Sequence, residues 1–556
     1  MTYLNRNLGT KQTSQSEKIP GSTQVPNSAG GFAWQVDDWK RLDRFLILGS
    51  EGGSYYTTER ELTKDNISAV LRCIEADGQR VVNRLVEISE AGRAPKNDQA
   101  LFVLAACTAS KDIKTRMSAL EALPSVARIG THLFHFVSYV EQFRGWGKGL
   151  RHAVGDWYQN KTLDSVAFQA VKYQQRDGWG HSDLLRLSHP KTDDINRSAV
   201  YSYMVDGMEK LHAEEEGIIY DYKTSKPKDE KPVFKRTMVE IPQIILAFEH
   251  AKEVKTEAEI ISLIKQYKLT REMIPTEFHD KPDVWEAILP NLGLTAIIRN
   301  LGNMSKCGFL LDGKWSATND VCNRITDAAE LKRSRVHPFA ILTALYTYQS
   351  GHGLRGKGEW PVSNAVVDAL DKAFYLSFGN VTPTNKRLML ALDVSGSMAG
   401  SELSNVPGLS ARVASAAMAM VTFKTDQNTM ITAFCETMIP ISQIGHLSRL
   451  SEVVSAISGL PFGGTDCSLP MGYALTNKLE IDAFIVYTDN ETWAGNIHPN
   501  QMLNKYRREM GIPAKLIVVG MVSNGFSIAD PDDAGMMDVV GFDTAAPEVM
   551  SNFIRE

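Results

Sequence analysis

Residues 389–398 read MLALDVSGSM, and this stretch decides the fold of the last third of the chain. An apolar run ends on Asp393, and two serines follow at alternate positions. After Pro383 apolar strands and helices alternate: we predict strands at RLMLALDV, NTMITAFC, DAFIVYT and KLIVVGM, and helices at ARVASAAMAMVTFK, HLSRLSEVVSAIS, LPMGYALTNK and HPNQMLNKYRREM. This alternation is typical of a parallel, doubly wound α/β sheet. Sites in such sheets lie at the carboxyl ends of the strands, where Asp393 falls.

Two later segments supply oxygen ligands at equivalent strand ends. GGTDCS (463–468) presents Thr465, and IVYTDNE (485–491) ends a strand on Asp489. Carboxylate and hydroxyl oxygens suit Mg²⁺ or Mn²⁺, held with several waters in octahedral geometry. The sequence therefore predicts a metal centre of two carboxylates and three hydroxyls: Asp393, Ser395, Ser397, Thr465 and Asp489. With only two formal negative charges, this centre leaves room for an acidic side chain from a partner. The alternative is that the Ser and Asp side chains only cap the following turn and helix.

The D-x-S-x-S string after a buried strand, with Thr and Asp at later strand ends, resembles the von Willebrand factor A fold and its metal-ion-dependent adhesion site. The resemblance implies that Ser395, Ser397 and Thr465 bind the ion directly. It also implies that Asp393 and Asp489 act mainly through waters.

From about residue 35 to 375 the apolar periodicity is helical. NISAVLRCIEADGQRVVNRLVEISEAGR and DQALFVLAACTAS place apolar residues near i, i+3, i+4 and i+7. Successive amphipathic helices need neighbours to bury their apolar faces, which favours a HEAT-like helical-repeat ring or solenoid. We therefore divide the chain into a flexible N-terminal arm, a helical-repeat domain and an α/β domain, at residues 1–30, 31–380 and 381–556.

The composition is that of an ordinary multidomain globular protein. A chain of 556 residues exceeds what one hydrophobic core usually serves. It has no apolar run long enough to predict a membrane helix, and its start lacks the apolar core of a secretory signal. Six scattered cysteines without a CxxC pair indicate reduced thiols, and so a cytoplasmic protein.

The net charge of −5 hides an uneven distribution. Residues 381–556 carry a net charge of −7, and residues 1–380 carry +2. An RNA-binding surface on this chain therefore has to be a local basic patch rather than a global one.

One candidate patch lies in VKYQQRDGWGHSDLLRLSHPKT (171–192). Lys172 and Arg176 are spaced i, i+4, as on one helix face, and the following Gly-Trp-Gly breaks that helix. We expect Ser182 to cap a short second helix, at whose end His189 falls before a proline. Lysine and arginine contact phosphates, and imidazole stacks on or hydrogen-bonds a splayed base. The alternative is a solvated charged face with a histidine at a helix end.

A second candidate patch is RGWGKGLRH (144–152), with Trp146 available for stacking on a base. Its basic side chains are Arg144, Lys148, Arg151 and His152. A third is the glycine-rich loop that contains Arg355 and Lys357, although such loops are more often plain turns.

The stretch 171–192, together with SEGGSYYTTE (50–59), THLFHFV (131–137), TAIIRNLGNM (295–304), HPFAILTALYTYQSGHGLRGKGEW (337–360) and KLIVVGMVSNGFSIADPDDAGMMD (515–538), closely resembles the Ro autoantigen family. That family joins a helical-repeat TROVE module to a von Willebrand factor A domain, and the likeness begins near residue 31. It implies a closed helical ring that binds Y RNA on its outer surface and takes single-stranded 3′ ends of misfolded noncoding RNAs into its central hole. Lys172, Arg176 and His189 match positions that the family uses for Y RNA. An exoribonuclease partner at the A domain is a further expectation from the family. The likeness gives no function to residues 1–30.

We expect no enzyme activity, since the chain has neither a GxxxxGK[ST] loop nor an HExxH motif. Asp482 and Asp489 lie at opposite ends of a strand of about 23 Å, too far apart to share a two-metal site. The sequence thus leaves two functions open. One is a scaffold of a ribonucleoprotein that binds small noncoding RNA in RNA quality control. The other is a metal-dependent protein-interaction scaffold without specific RNA binding.

Overall fold

The computed structural model describes residues 12–51, 54, 56–208, 218–219, 237–310, 315–353, 358–379, 381–400, 409–441, 443–461 and 463–556. Arg355 and Lys357 lie outside these described residues. The described chain has a helical domain followed by an α/β domain, as predicted. No helix among the described residues has both the length and the apolar character to cross a membrane.

The helical domain is built from amphipathic helices that bury one face against their neighbours. The longest begins at Thr58, whose side chain and that of Glu61 form a capping box, and it ends on Gly92 in the left-handed conformation. Large aromatic side chains such as Phe134, Phe136 and Trp157 fill the core between helices. The helices are α1 (Asp38–Leu48), α2 (Glu59–Ala91), α3 (Asp98–Thr108), α4 (Ile113–Glu121), α5 (Leu123–Val126), α6 (Gly130–Phe143), α7 (Lys148–Gln159), α8 (Leu163–Lys172), α9 (His181–Ser188), α10 (Ile195–Asp206), α11 (Gln243–Glu253), α12 (Glu257–Tyr267), α13 (Pro282–Ile288), α14 (Leu294–Lys306), α15 (Trp315–Ile325), α16 (Ala328–Ser334), α17 (Pro338–Gln349) and α18 (Asn364–Leu376).

Short strands and 3-10 turns also occur before residue 380. The strands are β1 (Val25–Pro26), β2 (Phe32–Gln35), β3 (Gln175–Arg176), β4 (Trp179–Gly180), β5 (Ile218–Ile219) and β6 (Thr237–Met238). The 3-10 turns are Arg271–Met273, Thr276–Phe278 and Leu289–Asn291.

The α/β domain has a six-stranded sheet flanked by helices on both faces. Its strands are β7 (Leu388–Asp393), β8 (Thr429–Phe434), β9 (Met438–Pro440), β10 (Ala483–Thr488), β11 (Lys515–Gly520) and β13 (Met536–Val540), in the order β13-β11-β10-β7-β8-β9, while β12 (Phe526–Ser527) lies outside this sheet. Every pair is parallel except β8 with β9. Its helices are α19 (Gly396–Gly400), α20 (Ala411–Thr425), α21 (Leu450–Ser458), α22 (Leu469–Thr476), α23 (Pro499–Met510) and α24 (Ala546–Arg555). Because Leu392 pairs with Tyr487, the carboxyl ends of β7 and β10 lie side by side.

The expectation of a flexible N-terminal arm at 1–30 is wrong for residues 12–30. Gln15, Ile19 and Gln24 are at most 1% exposed against the α/β domain. The chain then adds β1 and β2 to β12 in a three-stranded antiparallel sheet. The physical reason is that the polar side chains and backbone of this segment find hydrogen-bond partners more than 400 residues away in sequence.

The helical and α/β domains are joined by a buried arginine. Arg44 of α1 pairs with both carboxylate oxygens of Asp538, at 2.7 and 2.8 Å. Its other terminal nitrogen donates to the carbonyls of Asn524 (2.7 Å) and Phe526 (2.8 Å). The side chains of Arg44 and Asp538 are 0% and 4% exposed.

The beginning and the end of the helical array meet beside this junction. Arg93, just after α2, pairs with Asp543 at 2.6 Å, and its carbonyl oxygen lies 3.1 Å from His337 Nε2. Because His337 Nδ1 accepts the Phe339 N–H, Nε2 carries the proton and donates to Arg93. Phe339 also packs edge-on against Phe542 at 5.3 Å between ring centroids. The segment after α2 therefore contacts the segment that precedes α17, although the two are more than 240 residues apart.

We predict that Arg44→Ala lowers the free energy of unfolding by about 3–5 kcal/mol, because it leaves Asp538 as a buried, unpaired charge. Urea unfolding followed by circular dichroism measures this change. The matched control is Arg72→Ala, which breaks the exposed pair with Asp38 and should cost about 1 kcal/mol or less. Equal losses of unfolding free energy in the two variants would show that the buried pair stabilises the protein no more than the exposed pair does.

Candidate metal centre and nucleic-acid interface

Asp393 ends the central strand β7, and both of its carboxylate oxygens are fixed. Oδ1 accepts the Ser395 N–H (2.9 Å), and Oδ2 accepts the Thr488 hydroxyl (2.7 Å) from the neighbouring strand β10. The Ser395 and Ser397 hydroxyls lie 3.1 Å apart, and both residues are 2% exposed. The hydroxyl groups of the two serines therefore lie side by side just beyond the carboxyl end of β7.

Thr465 and Asp489 complete the set from two other loops. The Thr465 carbonyl accepts the N–H groups of Trp493 and Ala494, both at 3.0 Å, which ties its loop to the one after β10. Asp489 Oδ1 accepts the Glu491 N–H at 3.1 Å. The structure thus places all five predicted metal-centre residues at the carboxyl edge of the sheet.

The electrostatics of this edge fit a cation. Burial, followed by the negative charge of Asp489, raises the pKa of Asp393 to about 7. Burial also raises the pKa of Asp489, although the nearby Ser397 hydroxyl offsets part of the rise. Asp489 Oδ2 is buried and has no hydrogen-bond partner among the described residues. Within the described chain no three His, Cys, Asp or Glu side chains form a metal-binding group, so any ion here must use the hydroxyls as well.

Glu491 is a buried carboxylate two residues after Asp489 that is not among the predicted metal-centre residues. Burial and the charge of Asp489 raise its pKa to about 7. Its Oε2 accepts the backbone N–H groups of Ser28 (2.8 Å) and Ala29 (3.1 Å). Glu491 therefore holds the N-terminal segment rather than a second metal.

The first basic patch has a different local structure from the one predicted. Helix α8 ends at Lys172, and Arg176 lies in strand β3, so the two residues do not share a helix face. Asp177 and Gly178 both have positive φ (53° and 78°) and form a two-residue turn between β3 and β4. An Asp-Gly pair at such a turn is the sequence signal of a hairpin, and it could have been recognised.

The hairpin is anchored through its turn. One Asp177 carboxylate oxygen contacts Nδ1 of His135 on α6, and the other lies 3.7 Å from Arg176 Nε. The Arg176 side chain remains 60% exposed. Lys172 Nζ lies 5.2 Å from the centroid of the Phe168 ring and 5.5 Å from that of Tyr173.

The short second helix exists, but Ser182 does not cap it. Gly180 is the residue before α9, and its N–H donates to Asp183 Oδ2 at 2.9 Å. A glycine in extended backbone is an accepted N-cap residue, only somewhat less favourable than serine. His189 ends α9 as predicted, is exposed, and has a left-handed backbone (φ 48°).

The second basic patch continues the surface of the first. Lys148, Arg151 and His152 are exposed on α7. Gly155 lies one helical turn after Arg151 on the same face of α7. A Cβ at Gly155 would contact Pro190 at 3.7 Å, so the residue after His189 packs against this face.

Two tryptophans connect these patches. The rings of Trp146 and Trp179 lie 6.1 Å apart, which brings the start of α7 to the hairpin. Arg144 is placed differently, because its guanidinium donates to the Thr108 carbonyl (2.7 Å) at the end of α3. The structure thus leaves Lys148, Arg151, Arg176 and His189 exposed on neighbouring elements and gives Arg144 a structural contact.

Comparison with known proteins yields matches over both domains. Residues 25–386 match the TROVE domain family, and residues 387–554 match the Ro60 vWA domain family. The chain is 40% identical to the RNA-binding protein RO60 of Deinococcus radiodurans, over 100% of this chain and 99% of that protein. It is 36% identical to the RNA-binding protein RO60 of Caenorhabditis elegans, over 97% and 91% of the two chains.

A solved structure agrees with these matches. The crystal structure of the Deinococcus radiodurans RO (RSR) protein is similar with a TM-score of 0.66 and 39% identity, covering 93% of this chain and 99% of that one. The chain therefore belongs to the Ro60 family, in which a TROVE domain is followed by a vWA domain.

Proposed function

We propose that the protein binds small noncoding RNA of the Y type and the single-stranded 3′ ends of misfolded noncoding RNAs, in RNA quality control or stabilisation. The observation that carries this proposal is the set of exposed basic residues Arg176, Lys148, Arg151 and His189, which lie on elements that the Trp146–Trp179 contact brings together. It lies in the helical domain, and the relatives that match this chain from end to end are named RNA-binding proteins.

The side chains of this surface can contact RNA in two ways, by binding phosphates and by stacking on bases. Lysine and arginine neutralise phosphates, which fixes an RNA duplex or loop on the surface without reading its sequence. Tryptophan and histidine offer faces and edges to unstacked bases. Since every phosphate contact releases counterions, binding should weaken steeply as salt rises.

The direct test is a binding titration with a structured RNA that carries a single-stranded 3′ tail, compared with the same RNA blunt-ended, across a salt series. We expect tight, salt-sensitive binding that prefers the tailed RNA. Equal and weak binding of both RNAs would reject the recognition of 3′ ends. A Y-type RNA in the same assay then tests the outer surface.

We predict that Lys172→Ala with Arg176→Ala weakens Y-type RNA binding about tenfold or more. The slope of log affinity against log salt should become shallower by about 1 to 2, because up to two phosphate contacts are lost. Fluorescence anisotropy at several salt concentrations measures both quantities. The control is Lys505→Ala with Arg508→Ala, which removes the same charge from α23 of the α/β domain. Unchanged affinity in a folded Lys172/Arg176 variant removes these residues from the interface.

We predict that Asp177→Asn also weakens RNA binding, although it removes a negative charge from the basic surface. Asparagine tolerates the positive φ at this position, so the substitution mainly weakens the contact with His135 that anchors the hairpin, because a neutral amide oxygen is a poorer acceptor than a carboxylate. The matched control is Asp156→Asn on α7, which should leave affinity unchanged or make it tighter. Tighter binding of Asp177→Asn would mean that charge, rather than the position of Arg176, governs this surface.

We also propose that the carboxyl edge of the sheet binds Mg²⁺ or Mn²⁺ and recruits a protein partner, such as an exoribonuclease. The observation in favour is the pair of buried carboxylates with one unpartnered oxygen, next to three hydroxyl side chains. Ser395, Ser397 and Thr465 would hold the ion directly, and Asp393 and Asp489 would orient its waters. A bound ion supplies a Lewis-acid position that an acidic side chain of the partner can occupy.

We predict that the full chain binds one Mn²⁺ ion and that Asp489→Asn or Ser395→Ala abolishes this binding at micromolar metal, because each removes an oxygen on which the octahedral site depends. Electron paramagnetic resonance of free Mn²⁺ measures the bound fraction. Asp532→Asn, an exposed aspartate on the same domain, serves as the control and should bind like the wild type. Full Mn²⁺ binding by Asp489→Asn would contradict the assignment.

A further inference from the structure

The N-terminal residues 12–31, here called the entry segment, lie against the two loops that bring Thr465 and Asp489 to the edge of the sheet. These loops are residues 463–468 and 489–498. Residues 12–24 precede both regions that match known domain families, which begin at residues 25 and 387.

One side chain of the entry segment spans both loops. Gln15 is completely buried, and its Nε2 donates to Asp466 Oδ1 (2.7 Å), next to Thr465. The same nitrogen donates to the Ile497 carbonyl (2.8 Å), and Oε1 accepts the Thr492 hydroxyl. A single amide thus ties the Thr465 loop to the Asp489 loop by three hydrogen bonds.

A second set of contacts reaches the carboxylate itself. The N–H groups of Ser28 and Ala29 donate to Glu491 Oε2, and the Glu491 N–H donates to Asp489 Oδ1 at 3.1 Å. Asn27 Nδ2 donates to the Thr492 carbonyl at 2.8 Å. The entry segment is therefore two hydrogen bonds away from Asp489.

The entry segment and the two loops pack so closely that two positions have room only for glycine. A Cβ on Gly495 would overlap the Gln15 amide and the Asp466 carboxylate, and a Cβ on Gly31 would overlap the Thr492 carbonyl. The Gln15 N–H also donates to the Gly495 carbonyl at 2.9 Å. Backbone and side chain thus fix the entry segment at one position relative to both loops.

We propose that the entry segment is a structural part of the metal centre, and that Gln15 is the positioning residue that sets the distance between Thr465 and Asp489. The inference rests on the proposed Mg²⁺ or Mn²⁺ site. Such ions require near-ideal octahedral geometry, and residues that orient the ligands strongly affect affinity. A site whose ligands come from three loops depends on what holds those loops in register.

The test measures Mn²⁺ affinity of the full chain by electron paramagnetic resonance, with circular dichroism as a check on folding. We expect Gln15→Met, which keeps the shape but loses the three side-chain hydrogen bonds, to bind Mn²⁺ about 10–100-fold more weakly than the wild type. Lys18→Ala, an exposed residue of the same segment, should bind like the wild type.

A rescue pair separates positioning from general stability. Gln15→Glu places a carboxylate against Asp466 and should also weaken Mn²⁺ binding. Adding Asp466→Asn removes the repulsion between the two carboxylates, and the double variant should recover part of the affinity, because the Ile497 carbonyl still lacks its donor. A role in stability alone would change the unfolding temperature and leave the Mn²⁺ affinity of the folded protein unaltered.

The outcomes distinguish the inference from the site on which it rests. No Mn²⁺ binding by the wild type overturns the metal centre itself. Binding by the wild type with equal affinity in Gln15→Met overturns only the role of Gln15. If Gln15→Met does not fold, equal affinity of Gln15→Glu and the double variant overturns that role.

Discussion

The architecture depends on one buried charge, the guanidinium of Arg44. A charged group with no exposed surface needs a counter-charge and hydrogen-bond partners to be stable. Here the two terminal nitrogens of Arg44 are compensated by the Asp538 carboxylate and two carbonyls of the 524–526 segment, while Nε has no partner among the described residues. These partners all belong to the α/β domain, while Arg44 belongs to the first helix. The amide of Asn524 in turn donates to the Asp489 carbonyl at 2.6 Å. The same interaction that joins the domains therefore also supports the strand end where the proposed metal centre lies.

The part of the structure that follows from local sequence could be predicted. The strand RLMLALDV and the helix ARVASAAMAMVTFK lie where their apolar patterns place them, as β7 and α20. Four of the predicted metal-centre residues, Asp393, Ser395, Ser397 and Asp489, follow from a topological rule, since carboxyl ends of neighbouring parallel strands share one edge. Thr465 does not follow from this rule, because it lies in the loop between α21 and α22 rather than at a strand end. Strand topology alone therefore predicts that Asp393 and Asp489 lie close together.

The parts that were missed depend on contacts between distant residues or on turn chemistry. The entry segment has the polar composition of a loose arm, and its partners, such as Asp466 and Ile497, lie more than 450 positions away. The spacing of Lys172 and Arg176 favours a single helix face. The Asp-Gly pair that follows forms a hairpin turn instead, and this turn places Arg176 in a strand. The contact of His135 with Asp177 anchors the hairpin, and no local sequence pattern indicates that contact.

The contacts of the entry segment also have a consequence for the order of events during synthesis. Gln15 is made early, but its carbonyl partner at Ile497 follows 482 residues later. At roughly 5–20 residues per second, a ribosome needs about 25–100 s to cover that distance. During this interval strand β2 lacks its later neighbour β12, and its backbone edge is open to other chains. The nascent protein therefore has a period of exposure whose length is set by translation speed, and slower translation prolongs it.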